Sequence, residues 1–283
     1  MSTAAAREKR TESRSQERSS RGKKTQSLRE WVKINTRGVH YKDLNREIKA
    51  LAERGARKFE LQKVYGQRYI GTNLWGTERE KIKIRVYGTP GSDLGAFMDG
   101  PQIEVFGNAQ DATGNTMNCG KIIIHGSAGD VLGYGMRGGE IYVRGNVGYR
   151  VGIHMKEYMN KVPTVVIGGT MQDFFGEYMA GGRIIVLNKF FEDNPPLRLS
   201  YFIGTGMHGG NIFIRGEVEA HQIGAEVGME DPTDAEWKII EKYVGNYCKA
   251  FGLEARQTKL LRREKFTRLF AKSSRPYGRM YAY

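Results

Sequence analysis

Apolar residues return along this chain at a fixed interval. Ile84, Ile103, Ile122 and Ile141 are each 19 residues apart, and Val165, Ile184 and Ile212 carry the series on. Two residues later, Val86, Val105, Ile124, Val143, Ile167, Val186 and Ile214 repeat the pattern. Within each unit these apolar residues alternate with others, so they share one face of a short strand. Met98, Met117, Met136 and Met155 keep the same interval, and Met179 and Met207 follow after spacings of 24 and 28. Gly95, Gly114, Gly133, Gly152, Gly176 and Gly204 run in step with them, and a second glycine series falls at 88, 107, 126 and 145. Two insertions account for the longer spacings, "YMNKV" at 158–162 and "NPPLRLSYF" at 194–202. A degenerate unit lies upstream, with Gly71 and Leu74 placed 24 residues before Gly95 and Met98.

A unit of 19 residues cannot bury a strand face alone, but stacked units share one interior. It is also too short for an intervening helix, which needs about 30 residues per strand–helix–strand unit. The fold expected is therefore all-β: a parallel β-helix of about seven coils, right-handed by the crossover rule, with flanking helices. The methionines are expected to stack inside and the glycines to turn the corners. Gly133-x-Gly135-x-x-Gly138 also spells a dinucleotide fingerprint, and it recurs at Gly204-x-Gly206-x-x-Gly209. A phosphate site needs a helix after the glycines. Here strands follow, "EIYVRG" and "NIFIRG", so the fingerprint is a by-product of the repeat.

Helical periodicity flanks the repeat. Leu44, Ile48 and Leu51 form a stripe that ends at Gly55. Downstream, Thr233-x-x-Glu236 reads as a capping box, Trp237, Ile240, Val244, Cys248 and Phe251 share one face, and Gly252 stops the helix. Both helices are expected to cap open ends of the stack. The chain thus divides into a disordered basic tail over 1–26, a helix with entry strands and a degenerate coil over 27–80, the repeat over 81–230, and a capping helix with a basic tail over 231–283.

Composition changes this picture little. Glycine makes up 37 of 283 residues, as the corners require. The net charge of +14 suggests nucleic acid until it is located. Residues 1–30 carry +5 and residues 255–283 carry +8, which leaves the body at +1. A membrane surface or an RNA bound through the ends is the competing class. The body shows no basic-plus-aromatic stripe of a known nucleic-acid module. No stretch of 18 apolar residues and no secretory signal is present, and a cytoplasmic location is expected.

Chemistry is sparse. Cys119 and Cys248 are too few for an iron–sulfur cluster, and no spacing of cysteine or histidine suits zinc. The five histidines, 40, 125, 154, 208 and 221, are scattered. Asp111, Asp130 and Asp173 share one repeat position, either as carboxylates facing a partner or as turn residues bonding local backbone. No catalytic, cofactor-binding or metal-binding residue is expected in this chain.

The stretches "GNAQDATGNTMNCGKIIIHGSAGDVLGYGMRGGEIYVRGNVGYRVGIHM", "GEYMAGGRIIVL" and "IGTGMHGGNIFIRG" resemble the GXGXG domain of the glutamate synthase large subunit. The likeness covers about residues 60–230, and "YGQRYIGTNL" and "RPYG" at 275–278 are similar to the stand-alone form of that domain. The resemblance implies a structural subunit of a multi-subunit glutamate synthase. That enzyme carries out glutamine-dependent reductive amination of 2-oxoglutarate. The partners implied are a glutaminase-type amidotransferase subunit and a synthase subunit holding FMN and an iron–sulfur cluster. A similar scaffold occurs in the C subunit of formylmethanofuran dehydrogenase, and a glutamate-synthase-like enzyme for another amine is a further alternative. The candidate partner interface comprises the polar corner residues Gln110, Asp111, Asn115, Asp130, Arg137, Arg150, His154, Lys156, Glu177 and His208.

Overall fold

The computed structural model describes residues 30–74, 79–189, 200–254 and 261–274. The expected basic tail over 1–26 and the "RPYG" segment lie outside them. Among the described residues eleven strands form one large, mostly parallel, open sheet. In chain order they are β1 (Val32–Asn35), β2 (Lys58–Tyr65), β3 (Lys83–Thr89), β4 (Asp99–Phe106), β5 (Cys119–Ile124), β6 (Glu140–Val143), β7 (Thr164–Ile167), β8 (Ala180–Val186), β9 (Gly209–Arg215), β10 (Val227–Glu230) and β11 (Phe266–Ala271). Among the described residues two α-helices join them, α1 (Tyr41–Glu53) and α2 (Asp234–Phe251). Strands β1 to β9 pair in sequence order, and β11 then inserts between β9 and β10.

The register follows the repeat. Ile84 pairs with Ile103, Ile103 with Ile122, Ile122 with Ile141, Ile141 with Val165, Val165 with Ile184 and Ile184 with Ile212. The ladder also runs upstream, where Phe59 opposes Ile84 and Val32 opposes Phe59. A one-residue slip would turn every one of these side chains to the other face, so the apolar column fixes the pairing. From Phe59 to Ile214 the inward column is buried in one cluster, together with Met98, Met117, Met136, Met155, Met179 and Met207, and Val32 packs against it. Leu44 and Ile48 of α1 join this cluster, so the first helix seals the start of the inner column.

Met98, Met117, Met155 and Met179 each fit over a glycine of the next turn. A Cβ on Gly120 would lie 3.1 Å from the Met98 methyl, and one on Gly182 would lie 3.0 Å from the Met155 methyl. An unbranched side chain reaches this gap where a β-branched one would not.

The C-terminal helix does not cap the end of the sheet, as the sequence reading expected. It lies along the second face of the strands. Ile240, Tyr243, Val244, Tyr247, Cys248 and Phe251 of α2 cluster with Ile123, Tyr142, Val166, Ile185 and Phe213, the outward residues of β5 to β9. The reason is the composition of that face. The outward position is Arg85 in β3 and Glu104 in β4, and becomes apolar from Ile123 onward. An apolar outer face must be covered, and α2 supplies the cover. The edge of β9 is instead closed by β11, which runs antiparallel to it from the segment expected to be only a basic tail. The capping box forms as expected: the Glu236 carboxylate accepts from the Thr233 N–H at 2.9 Å, and Gly252 ends the helix at φ 66°.

The two cysteines sit in opposite settings. Cys119 is exposed, whereas Cys248 is buried between α2 and the sheet. Burial pushes the Cys248 thiol up to about 11. The thiolate is the reactive form, so Cys119 alone is expected to react with iodoacetamide at pH 8 in the native protein. Cys248 should label only after unfolding, as mass spectrometry of the digested protein would read. The raised pKa also favours the protonated native state. The stabilisation it gives is present below the ordinary thiol pKa and is lost as pH rises through about 11.

Candidate functional site

Between strands the chain turns a corner, and the corners stack. The Asp93 N–H donates to Asp111 O at 3.0 Å, Ala112 to Asp130 O at 2.8 Å, Val131 to Tyr149 O at 2.8 Å, Arg150 to Asp173 O at 3.1 Å and Phe174 to Tyr201 O at 3.1 Å. Four residues on, Phe97 bonds to Asn115 O, Thr116 to Tyr134 O, Gly135 to Ile153 O, His154 to Glu177 O and Tyr178 to Thr205 O. These backbone bonds make one continuous ridge across six turns of chain.

Three alternate residues in each corner take positive φ. In the fourth turn they are Arg150, Gly152 and His154, at 56°, 72° and 56°. Only the middle one faces inward. There a Cβ on Gly152 would stand 2.5 Å from Ile184 Cδ1, so an added methyl would have to displace the end of that buried side chain as well as hold the left-handed φ. The outer two project outward and accept any residue at a conformational cost of about 1–2 kcal/mol each.

The corner gathers seven of the ten polar residues singled out from the sequence. Gln110 is exposed and its backbone oxygen accepts from the Thr113 hydroxyl at 3.1 Å. Asp111 Oδ1 accepts from the Asp130 N–H at 2.9 Å, and Asp130 Oδ1 accepts from the Tyr149 N–H at 2.9 Å. Asp173 Oδ1 accepts from the Tyr201 N–H at 2.8 Å, so the aspartate column bonds the backbone of the following turn. Asn115 Nδ2 donates to Asp93 Oδ1 at 3.1 Å. Arg150 Nη1 donates to Glu177 Oε2 at 2.8 Å, and its guanidinium lies over the Phe174 ring at 4.6 Å. Glu177 is buried beneath this pair. His154 stands between Tyr134 and Tyr178, with ring centroids at 5.8 and 5.4 Å.

Arg137, Lys156 and His208 lie elsewhere. Each follows a buried methionine, and the backbone N–H groups of the three donate to Met117 O, Met136 O and Met179 O. Arg137 is half-buried with its Nε unpartnered, Lys156 is exposed, and His208 is half-buried with Nδ1 at 3.2 Å from Gly206 O. They form a second column, one residue after the methionine in each turn.

Two features were missed in the sequence. The first is aromatic. Tyr134, Tyr149, Tyr178, Tyr201 and Phe202 are 37 to 54% exposed on the ridge, and Phe202 stacks on Phe174 at 4.8 Å. The second is a polar ladder: Ser127 N–H donates to Asn108 Oδ1, Asn146 N–H to Ser127 Oγ, and Thr170 N–H to Asn146 Oδ1, at 2.8, 3.1 and 2.9 Å. Its members keep the repeat interval, so the signal was present. His125 belongs to another outward stack, on Phe106 at 4.7 Å and hydrogen-bonded to Glu104 at 3.1 Å. Among the described residues no group of three or more histidine, cysteine or acidic side chains is placed to hold a metal ion. Among them, too, no helix is long and apolar enough to cross a membrane.

Residues 45–274, which include the stacked glycine corners, match a known family, GXGXG motif. The chain belongs to the GXGXG motif family. It is 45% identical over 255 residues to an uncharacterized protein of Methanocaldococcus jannaschii, covering 89% of this chain and 97% of that one. Its fold is similar to a chain in the crystal structure of the formyltransferase/hydrolase complex of Methylorubrum extorquens with methylofuran. That likeness has a TM-score of 0.53 and 20% identity, and covers 72% of this chain and 69% of the other. Membership in the GXGXG motif family accounts for the spelling of the corners. Val131, Gly133 and Gly135 are the three alternate positive-φ positions of one turn, two of them filled by glycine.

Proposed function

We propose that this chain is a non-catalytic structural subunit of a multi-subunit glutamate synthase, organised as a right-handed parallel β-helix. In this reading its stacked turns hold a glutaminase-type amidotransferase subunit and a synthase subunit carrying FMN and an iron–sulfur cluster. The complex performs glutamine-dependent reductive amination of 2-oxoglutarate. A rigid repeat suits that task, because each turn adds a fixed rise of about 4.8 Å and partners bound along it stay at fixed separation. Ammonia released at one subunit must reach the next before it leaves as ammonium. The observation that carries the reading is the GXGXG family match over a continuous outward ridge.

The second reading is a scaffold in a formylmethanofuran dehydrogenase-type complex, favoured by the likeness to a chain of the formyltransferase/hydrolase complex. Purification of the chain from native cells under mild conditions separates the two. Co-purification with a glutaminase-type and a flavin-containing subunit is expected, with glutamine-dependent glutamate formation lost when this chain is depleted. Full activity of the other subunits without this chain would remove the first reading. Formyl-transferring partners would establish the second.

A further inference from the structure

We propose that the stacked corner ridge is the docking face for a partner protein surface that presents arginine and lysine side chains. The inference rests on the scaffold reading and names the face that reading leaves open. Three observations point to it.

The first is exposure. Tyr134, Tyr149, Tyr178, Tyr201 and Phe202 stand on four successive turns, within about 15 Å along the stack. Exposed rings gathered in this way are the residue type that anchors protein interfaces.

The second is conformational. Phe97, His154 and Tyr178 hold positive φ at the same repeat position as Gly135 and Gly206. Glycine serves the turn at that position without strain. Three turns nevertheless carry a ring there, directed outward. His154 and Tyr178 stack on one another at 5.4 Å, and the exposed faces of these rings are left open to a contact made outside the chain.

The third is charge. The Asp111, Asp130 and Asp173 carboxylates run beside the rings and accept backbone N–H groups, and no ion pair engages them among the described residues. The Arg150 charge on the ridge is already met by Glu177. The ridge is therefore acidic and aromatic together. Arginine is the side chain that both pairs with carboxylates and lies flat on tyrosine rings.

The test uses the native complex and the free full-length chain. Hydroxyl-radical labelling should modify Tyr134, Tyr178 and Phe202 in the free chain and spare them in the complex, while Tyr65 and Met159, also exposed, label in both. A chain isolated without partners would remove the scaffold reading and this proposal together. A complex in which the ridge labels fully would remove this proposal alone. Protection already present in the free chain would assign the ridge to a basic end of this chain and overturn the proposal. Two variant sets sharpen the result. Tyr178→Gly with Phe202→Gly should leave the melting temperature of the free chain unchanged or higher, and weaken reassembly with the purified partner subunits by about tenfold or more. Asp111→Asn, Asp130→Asn and Asp173→Asn together keep the backbone acceptors and remove the charge. They should weaken reassembly and flatten its salt dependence. Unchanged or tighter association in the asparagine variant would show that the partner surface is not basic and would overturn the proposal.

Discussion

Gly152→Ala should destabilise the protein by about 2–5 kcal/mol, the sum of backbone strain and overpacking. Gly152 has φ of 72°, and an added Cβ would stand 2.5 Å from Ile184 Cδ1 on the following turn. Gly133 holds φ of 70° at the same repeat position, but the residue above it is Val165, one carbon shorter, and its Cγ2 would lie 3.7 Å from the new Cβ. Gly133→Ala should therefore cost only the backbone share, about 1–2 kcal/mol. The two substitutions have the same chemistry and the same φ, so their difference isolates the clash. Ile184→Val in the Gly152→Ala background should recover part of the loss, and urea denaturation of the four proteins of that cycle measures the coupling. Equal costs at Gly133 and Gly152, with no coupling to Ile184, would show that the inward glycines serve backbone conformation alone.

That contrast also shows what periodicity does and does not disclose. The inward column was legible because two apolar positions per turn repeat without exception, and the sheet pairs them as the spacing requires. The methionine and glycine columns were legible for the same reason. The place of α2 was not read, although the signal lay between the two inward columns. The intervening position changes from Arg85 and Glu104 to Ile123, Tyr142, Val166, Ile185 and Phe213. A strand apolar on one face expects water on the other, and a strand apolar on both expects a second layer. Strand β11 was hidden by charge, because Lys265, Arg268 and Lys272 made its segment look like a tail. Lys265 and Arg268 are instead paired with Asp231 and Glu230, at 2.9 and 3.1 Å. The corner aspartates were read with two alternatives. They bond backbone in the following turn, which the local spacing could not distinguish from a free carboxylate.

The outward position supplies its own experiment, because one repeat site meets two environments. Phe213 in β9 is 1% exposed between the sheet and α2, and its neighbours there include residues from both layers. Phe213→Ala should leave a cavity that neither layer can close and should cost about 3–5 kcal/mol. Glu104 holds the equivalent position in β4, outside the apolar cluster that α2 covers, where it is half-buried beside His125 at 3.1 Å and Arg85 at 3.8 Å. Glu104→Ala should cost no more than about 1 kcal/mol, the scale of a partly exposed ion pair. Denaturant midpoints with unchanged slopes would read both values as native-state effects. If Phe213→Ala were as mild as Glu104→Ala, α2 would be loosely held against the sheet. The apolar outer column would then belong to a surface that another protein covers.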